Sequence, residues 1–350
     1  MKKLKLVLVA IILCTASNLS QISACSRVVY QGLNGTIITG RTMDWKGEIP
    51  ANLWVFPRGM KRNGKVGSSS IEWKSKYGSV VTSSWNIAAT DGMNEKGLAG
   101  NLLWLLESKY PKFEKDGETK GLAISLWLQY VLDNFATVNE AVKELSKEKF
   151  VLVTANIPGT KIYTALHLSI SDKTGDNAIF EYINGKLVIH HDTSYLVMTN
   201  SPVYEEQLAI NNYWKNISGT IMLPGTNRAA DRFVRGSFYI NALPKTNDTK
   251  IAIPAVFSVI RNLSVPFGIS TPNHPNISST QWRTVSDHKN LVYYFENVLN
   301  TNMIWLDFAN LDFSEKGKIQ KLSLENNENY PGEASKYLVE TIPFIPMGLE

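Results

Sequence analysis

Residues 25–45 of the chain read CSRVVYQGLNGTIITGRTMDW. The pair Asn34-Gly35 separates two runs of β-forming residues. Both residue types tolerate the positive φ of a type I′ turn, which makes the pair a strong hairpin signal. The stretch therefore predicts a β-hairpin with a two-residue turn, in which Leu33 pairs with Thr36.

The same register places Cys25 opposite Asp44, so a carboxylate would lie beside the backbone nitrogen of Cys25. Such a carboxylate would bias the protonation of a terminal amine. Arg41 lies on the returning strand three residues before Asp44, so simple alternation puts the two side chains on opposite faces. A bulge at Gly40 or near Met43 would bring Arg41 round, and the sequence leaves that choice open.

The first 24 residues have the order of a bacterial export signal. Lys2, Lys3 and Lys5 form a basic start, and residues 6–13 form an apolar segment that is too short to span a bilayer as a permanent helix. Ala24 is a small residue of the kind that signal peptidases accept. We therefore predict a signal peptide over these residues and an exported protein, periplasmic or secreted.

Removal of residues 1–24 leaves residues 25–350, which we predict to form a single domain because no linker, repeat or low-complexity segment divides them. Three lysines and no acidic residue leave with the signal, which lowers the formal charge from +5 to about +2. Without a dense basic run, this charge offers no case for a nucleic-acid partner. We expect a small-molecule partner and no stable membrane span.

The chain has two cysteines, Cys14 and Cys25. Cys14 lies in the predicted signal, so the processed protein has one cysteine and no internal disulfide. Exported proteins usually pair their cysteines or avoid them. A single cysteine at the predicted cleavage point therefore needs a reason.

Two interpretations of Cys25 are open from the local sequence. The run Ile22-Ser23-Ala24-Cys25 is similar to a lipoprotein box, in which the cysteine carries lipid, but a polar stretch separates it from the apolar segment. Alternatively, Cys25 is an N-terminal nucleophile. A thiol has a pKa of about 8.5 and an α-amine one of about 7.7–8.0, so the free amine of the same residue can take the thiol proton.

Four motifs downstream decide between these interpretations, because together they resemble the choloylglycine hydrolase family. The motifs are CSR at 25–27 with GRTMDW at 40–45, DGMNEKGL at 91–98, MTNSP at 198–202 and ADRF at 230–233. This family includes bile salt hydrolases and penicillin V acylases, which are cysteine N-terminal nucleophile hydrolases. The resemblance implies an α+β fold, the four-layer αββα sandwich of such hydrolases.

The resemblance also implies roles for individual residues. Cys25 resembles the nucleophile, Arg41 and Arg232 the arginines that flank its thiolate, Asp44 the partner of the α-amine, and Asn200 the side-chain donor to the oxyanion. Guanidinium groups favour a thiolate over a thiol. Fixed donors aimed at the developing oxyanion lower the barrier to amide hydrolysis.

Two tryptophans are expected near these residues. Trp104 stands where many relatives have Asn or Tyr, and its backbone N–H is expected to complete the oxyanion hole. Trp45 directly follows Asp44. Both indoles are expected to line the substrate pocket, although each would also suit ordinary core packing.

Downstream periodicity predicts helices followed by strands. Apolar residues at helical spacing over 124–135 predict an amphipathic helix. Thr137 and Glu140 predict a capping box for a second helix that runs to Glu148. Strands are predicted at 163–171, 178–183, 186–190 and 195–198.

No metal or cofactor is implied. The five histidines make no H-E-x-x-H pair, and one cysteine cannot build a cysteine-rich zinc site. His167 lies on an alternating strand, and we expect it to be packed or hydrogen-bonded rather than catalytic.

We predict an amidase that hydrolyses a linear, non-peptide amide, with conjugated bile salts ranked first as substrate. Penicillin V and N-acyl homoserine lactones are the alternatives, since all three join an apolar acyl part to a polar amine. A lipid-anchored binding protein without activity is the remote alternative. The resemblance also implies a homotetramer as one expected assembly.

Overall fold

The computed structural model describes residues 24–269, 278–300, 302–325 and 328–349. Apart from Ala24, the predicted signal peptide lies outside these residues. Two large sheets lie face to face, and helices cover the outer side of each. This arrangement confirms the predicted α+β sandwich.

The first sheet has seven strands and contains the predicted hairpin. In spatial order these are β14 (Val197–Met198), β1 (Ser26–Gln31), β2 (Ile37–Trp45), β15 (Ser279–Asp287), β16 (Val292–Asn297), β17 (Met303–Asp307) and β19 (Gly332–Glu333). Helices α4 (Ala229–Ala242) and α5 (Thr249–Asn262) pack on its outer face. Gly40 permits close contact with α5, because a Cβ at this position would lie 2.7 Å from Val256 Cγ1.

The second sheet has nine strands. In spatial order these are β13 (Lys186–His191), β12 (Asn177–Ile183), β11 (Leu166–Ser171), β8 (Ala99–Trp104), β7 (Ala88–Asn94), β6 (Ser79–Ser84), β3 (Ala51–Phe56), β18 (Gln320–Ser323) and β20 (Val339–Glu340). Its outer face carries helices α1 (Trp127–Asn134) and α2 (Val138–Leu145). Gly100 lets α1 approach, because a Cβ there would lie 2.5 Å from Leu128 Cδ1.

Shorter elements complete the described chain. Two small sheets pair β4 (Lys61–Asn63) with β5 (Glu72–Lys74) and β9 (Gly121–Ala123) with β10 (Val151–Val153); α3 is Tyr204–Lys215, and 3₁₀ turns span Ile124–Leu126, Phe308–Asn310 and Ser335–Tyr337. Helix α3 packs beside α4.

Two clusters of buried apolar side chains hold the layers together. The larger cluster lies between the two sheets and continues to α4 and α5, and it includes Val29, Leu103 and Val256. The second lies between the nine-stranded sheet and α1 and α2, and it includes Leu128 and Phe180. Burial of one such side chain contributes about 1.5–3 kcal/mol, so apolar burial is the main force that joins the layers.

The hairpin turn forms as predicted, but the predicted register is wrong by one residue. Asn34 and Gly35 have φ of +52° and +71°. Thr36 N donates to Leu33 O (3.0 Å), as a two-residue turn requires, yet Thr36 O accepts from Gly32 N (2.7 Å). Leu33 N donates instead to Thr246 O in a neighbouring loop (3.1 Å). Leu33 and Thr36 therefore do not form the expected pair of hydrogen bonds, and the register of the two strands is shifted by one residue.

The helices and strands predicted downstream are present. The helix predicted over 124–135 forms with a 3₁₀ first turn. Thr137 Oγ1 caps α2 by accepting from Glu140 N (3.2 Å). That helix ends at Leu145 and not at Glu148, whose φ is +45°. The four predicted strands correspond to β11–β14.

Candidate active site

Cys25 directly precedes β1 and is buried, with 3% of its surface exposed. Its Sγ lies 3.5 Å from Asp44 N, 3.7 Å from Asp44 O and 4.0 Å from Met43 Sδ. The shifted register therefore still brings Asp44 to Cys25, through the backbone of β2. Ala24, which precedes Cys25, is also buried at this point.

The charges around the Cys25 thiol oppose one another. Burial raises the pKa of Cys25 above its usual value, and the nearby Asp44 adds to that rise. Arg41, Arg232 and a hydrogen bond from the Asp44 backbone act in the other direction and lower the pKa. The two arginines that the sequence predicted therefore both lie within electrostatic reach of the sulfur.

Arg41 reaches the site from the face of β2 opposite to Asp44. Its Nη2 donates to Leu102 O (3.0 Å) in the second sheet, and its guanidinium stacks over the Trp282 ring at 4.5 Å. The strand β2 carries no bulge between Arg41 and Asp44; the register shift in this part of the first sheet lies on β15. Cys25 contacts Asp44 through the backbone of β2, so the opposite orientation of the two side chains does not keep either residue from the thiol.

Asp44 is fully buried and incompletely hydrogen-bonded. Its Oδ2 accepts from Thr42 Oγ1 (3.3 Å), which itself accepts from Ser26 N (3.0 Å). Its Oδ1 makes no hydrogen bond of standard geometry to the described residues, although the nearby Thr280 side chain acts on the carboxylate and lowers its pKa. Burial raises the pKa of Asp44 to about 6, against the opposing effect of Arg232.

Arg232 in α4 forms hydrogen bonds with both Cys25, the predicted nucleophile, and Asn200, the predicted oxyanion donor. Its Nη1 donates to Cys25 O (2.6 Å) and to Ser26 Oγ (2.5 Å). Its Nη2 donates to Asn200 Oδ1 (2.9 Å), and its Nε donates to Asn227 O (3.0 Å). Burial lowers the pKa of Arg232 to about 10, which leaves it positively charged near neutral pH.

Asn200 follows β14 and is held by three neighbours. Arg232 binds its Oδ1, which fixes the orientation of the amide. Its Nδ2 donates to Trp104 O (2.7 Å), and its own carbonyl accepts from Gln207 Nε2 (3.0 Å). An amide nitrogen carries two protons, so the second proton of Nδ2 remains available to a substrate.

His167 supports this loop from the second sheet. Its Nε2 lies 2.8 Å from Thr199 O and its Nδ1 lies 3.1 Å from Glu181 Oε1. Each ring nitrogen therefore has an oxygen atom within hydrogen-bond distance. His167 is therefore hydrogen-bonded, as expected. It contacts the backbone of Thr199, the residue before Asn200.

The pocket at Cys25 has an almost entirely apolar lining. It is lined by Cys25, Arg41, Met43, Trp45, Ile49, Ser84, Trp85, Ile87, Ala88, Thr90, Leu102, Trp104, Ile157, Thr164, Leu166 and Met347. Trp45 packs against Trp104 with ring centres 5.4 Å apart and against Trp85 at 5.9 Å. Both predicted tryptophans thus lie in this pocket; the role of the Trp104 N–H stays a prediction.

Sequence reasoning missed Trp85 and Met347. Trp85 occupies a tight turn with φ of +51°, a conformation that is costly for a bulky residue. No local pattern predicts a tryptophan there, although the following Asn86 is a common turn residue. Met347 lies far away in sequence, near the C-terminus, and only the fold brings it to the pocket.

None of the helices in the described ranges is long and apolar enough to cross a membrane. No cluster of three or more His, Cys, Asp or Glu side chains within the same ranges is arranged to hold a metal ion.

Comparisons with known proteins agree with this geometry. A family model described as linear amide C-N hydrolases, choloylglycine hydrolase family, matches residues 25–321. A penicillin V acylase of Pectobacterium atrosepticum is 49% identical over 348 residues, which cover 93% of this chain and 93% of the relative. A bile salt hydrolase/transferase of Clostridium perfringens is 27% identical over 323 residues, which cover 83% and 95%.

Solved structures show the same fold. A penicillin V acylase structure from Agrobacterium tumefaciens matches with a TM-score of 0.87 at 55% identity, and covers 93% of this chain and 100% of its own. A conjugated bile acid hydrolase from Clostridium perfringens matches with a TM-score of 0.73 at 23% identity over 88% and 98%. The family model spans most of the chain, so the chain belongs to the choloylglycine hydrolase family of linear amide C–N hydrolases.

Proposed function

We propose that this enzyme hydrolyses penicillin V and similar amides of small aromatic acyl groups, with Cys25 as the nucleophile. The observation that carries the proposal is the apolar pocket at Cys25, which is walled by Trp45, Trp85 and Trp104. Indole faces and edges pack well against another aromatic ring. The relatives named as penicillin V acylases at 49% and 55% identity support the same substrate class.

The proposed reaction begins with removal of residues 1–24, which frees the α-amine of Cys25. Asp44 Oδ1, which is buried and makes no hydrogen bond of standard geometry to the described residues, is the atom proposed to hold that amine. The amine takes the thiol proton, and the sulfur attacks the amide carbonyl. The nucleophile thus carries its own base.

The developing oxyanion then needs fixed hydrogen-bond donors. The free proton of Asn200 Nδ2 supplies one, and the backbone N–H of Trp104 is the proposed second. Collapse of the tetrahedral intermediate returns the proton to the leaving amine and leaves a thioester on Cys25. Water attacks the thioester, which releases the carboxylic acid and restores the thiol.

Arg232 and Arg41 have different tasks in this proposal. Arg232 fixes the backbone of Cys25 and the amide of Asn200 at the same time, so it sets the distance between nucleophile and donor. Arg41 makes no bond to either residue and acts through its charge, which favours the thiolate.

The relatives favour penicillin V, which the sequence analysis gave as an alternative substrate, over conjugated bile salts, which it ranked first. The bile salt hydrolase/transferase is 27% identical, against 49% for the penicillin V acylase. N-acyl homoserine lactones share the apolar acyl group and remain a second test substrate. Membership in a hydrolase family argues against the inactive binding protein.

A direct comparison of substrates tests the proposal. Purified protein that begins at Cys25 is given penicillin V, a glycine-conjugated bile salt and an N-acyl homoserine lactone, and release of the amine is measured. We expect the highest kcat/KM for penicillin V, and none above background for Cys25→Ala. A higher kcat/KM for the bile salt or the lactone would overturn the proposed substrate.

A further inference from the structure

The last residues of the described chain form an extended strap over the second sheet. Residues 341–349 contain no helix or strand, yet they are anchored along their length. Phe344 packs edge-on against Trp54 at 5.2 Å and against Phe56 at 5.9 Å. Leu349 packs against Val66 and its apolar neighbours. The strap is therefore part of the packed structure.

Hydrogen bonds fix the strap where it passes the active site. Met347 N donates to Ile87 O (2.9 Å), and Met347 O accepts from Ser125 Oγ (2.5 Å). Two residues on, Leu349 N donates to Lys65 O (2.9 Å). These bonds hold the backbone of residue 347 from both sides, and Ile87 is itself a lining residue of the pocket.

The sequence of the strap suits this fixed path. Pro343 and Pro346 lack N–H groups and restrict φ, so less conformational freedom is lost on ordering. Gly348 passes so close to Lys65 that a Cβ would lie 2.1 Å from the Lys65 carbonyl oxygen. A side chain at this position would push the strap away from its anchors.

The fixed backbone places Met347 among the lining residues of the pocket that contains Cys25 and the three tryptophans. Met347 also packs against the apolar cluster between the second sheet and α1 and α2. The strap lies outside residues 25–321, which match the family model. We propose that Met347, held by this strap, is a specificity-determining residue that limits the size of the acyl group accepted beside Cys25. The inference rests on the proposed function, because it concerns the acyl side of the same substrate.

Methionine suits this task because it is apolar and flexible, and it fills irregular space against aromatic rings. Replacement by alanine removes Cγ, Sδ and Cε from the pocket wall. A longer acyl group can then occupy that space, while a small one loses contacts. The catalytic groups at Cys25 and Asn200 are not altered, so selectivity should change more than the chemical step.

The test compares two amides of the same amine, one with a phenoxyacetyl and one with a phenoxybutanoyl group. We expect Met347→Ala to raise the ratio of kcat/KM for the longer to the shorter substrate about ten-fold, the lower range for such a size change in an apolar pocket. The change should arise mainly from KM. Met347→Leu, which conserves volume, should keep the wild-type ratio.

Two further variants separate the strap from general packing. Gly348→Ala leaves the identity of every lining side chain unchanged but displaces the strap that carries Met347, and should shift the ratio in the same direction as Met347→Ala. Ile345→Ala changes an exposed residue of the same segment, 79% exposed, and should leave the ratio unchanged. Thermal melting confirms that each variant is folded.

The outcomes distinguish this inference from the proposed function. If the wild type hydrolyses neither amide, the proposed function fails. If the wild type is active and Met347→Ala is folded with an unchanged ratio, Met347 does not set acyl size and the inference is overturned. An equal shift in Ile345→Ala would also overturn it, since that residue faces solvent.

Discussion

At the scale of single residues, the site combines a buried thiol with two buried arginines. Burial opposes ionisation of Cys25, and Arg41 and Arg232 partly offset that effect. An N-terminal amine that accepts the thiol proton during attack removes the need for a preformed thiolate. In the proposed mechanism, the proton therefore moves when substrate is attacked.

Asn200 provides the first prediction at this scale. Asn200→Ala removes a proposed oxyanion donor, so kcat should fall by about 10²–10³-fold while KM changes little. Steady-state kinetics with penicillin V give both constants. Asn241→Ala, an exposed asparagine on α4, is the matched control. A change confined to KM would assign Asn200 to substrate binding instead.

At the scale of elements, the loop that carries Asn200 is fixed by the start of α3 and by two strands. Glu181 on β12 accepts hydrogen bonds from Tyr204 N, the first residue of α3, at 3.1 Å and 3.2 Å. The same carboxylate contacts His167 and His190. One buried carboxylate thus joins the helix, the sheet and, through His167, the residue before Asn200.

This carboxylate gives a pH-dependent prediction. Burial alone would raise the pKa of Glu181, but hydrogen bonds from His167 and His190 outweigh it and lower the pKa from 4.5 to about 2. A lowered folded-state pKa stabilises the fold above the unfolded pKa. That contribution is lost as pH falls from about 4.5 towards 2.

Urea unfolding at several pH values tests the predicted loss of stability at low pH. Glu181→Gln should lower the free energy of unfolding by about 2–3 kcal/mol at neutral pH, and the difference from wild type should shrink below about pH 4.5. Glu206→Gln, an exposed change on α3, should have little effect. A difference that persists unchanged to pH 2 would contradict the assignment.

The hairpin shows what local sequence determines and what it does not. Asn34-Gly35 predicted the turn because positive φ at both positions is a local property. The register depended on Leu33 N, which donates to Thr246 O from a distant loop. The end of α2 at Leu145 and the positive φ of Trp85 were likewise not predicted from the local sequence pattern.

At the scale of the whole molecule, the two sheets bring together residues from distant parts of the chain. The sequence motifs predicted Cys25, Arg41, Asp44, Asn200 and Arg232. The fold places Arg41, Asp44 and Arg232 around the Cys25 thiol, and a hydrogen bond from Arg232 joins Asn200 to the same site. Met347 could not be predicted, because a nonlocal strap delivers it. The single-domain boundaries and the homotetramer stay predictions.

Export is a prediction about the whole chain. We expect a bacterial host to cleave between Ala24 and Cys25, because the mechanism requires Cys25 to be terminal. Intact-mass measurement of the exported protein checks the cleavage point. A lipidated mass, or an N-terminus displaced from Cys25, would contradict the mechanism and favour the lipoprotein interpretation.

The central claim is that the free α-amine of Cys25 is the base, and a blocked N-terminus tests it most directly. The form that retains Ala24 has an amide nitrogen at Cys25, which cannot accept a proton near neutral pH, and Ala24 itself is buried at the site. A protease site placed so that cleavage exposes Cys25 supplies the matched active form, and Cys25→Ala sets the background.

The measurement is the rate of penicillin V hydrolysis before and after cleavage, with mass spectrometry confirming each N-terminus. We predict a folded protein with a rate near that of Cys25→Ala before cleavage, and full activity after it. Full activity in the form shown to retain Ala24 would contradict the proposed mechanism, because another group would then have to take the thiol proton.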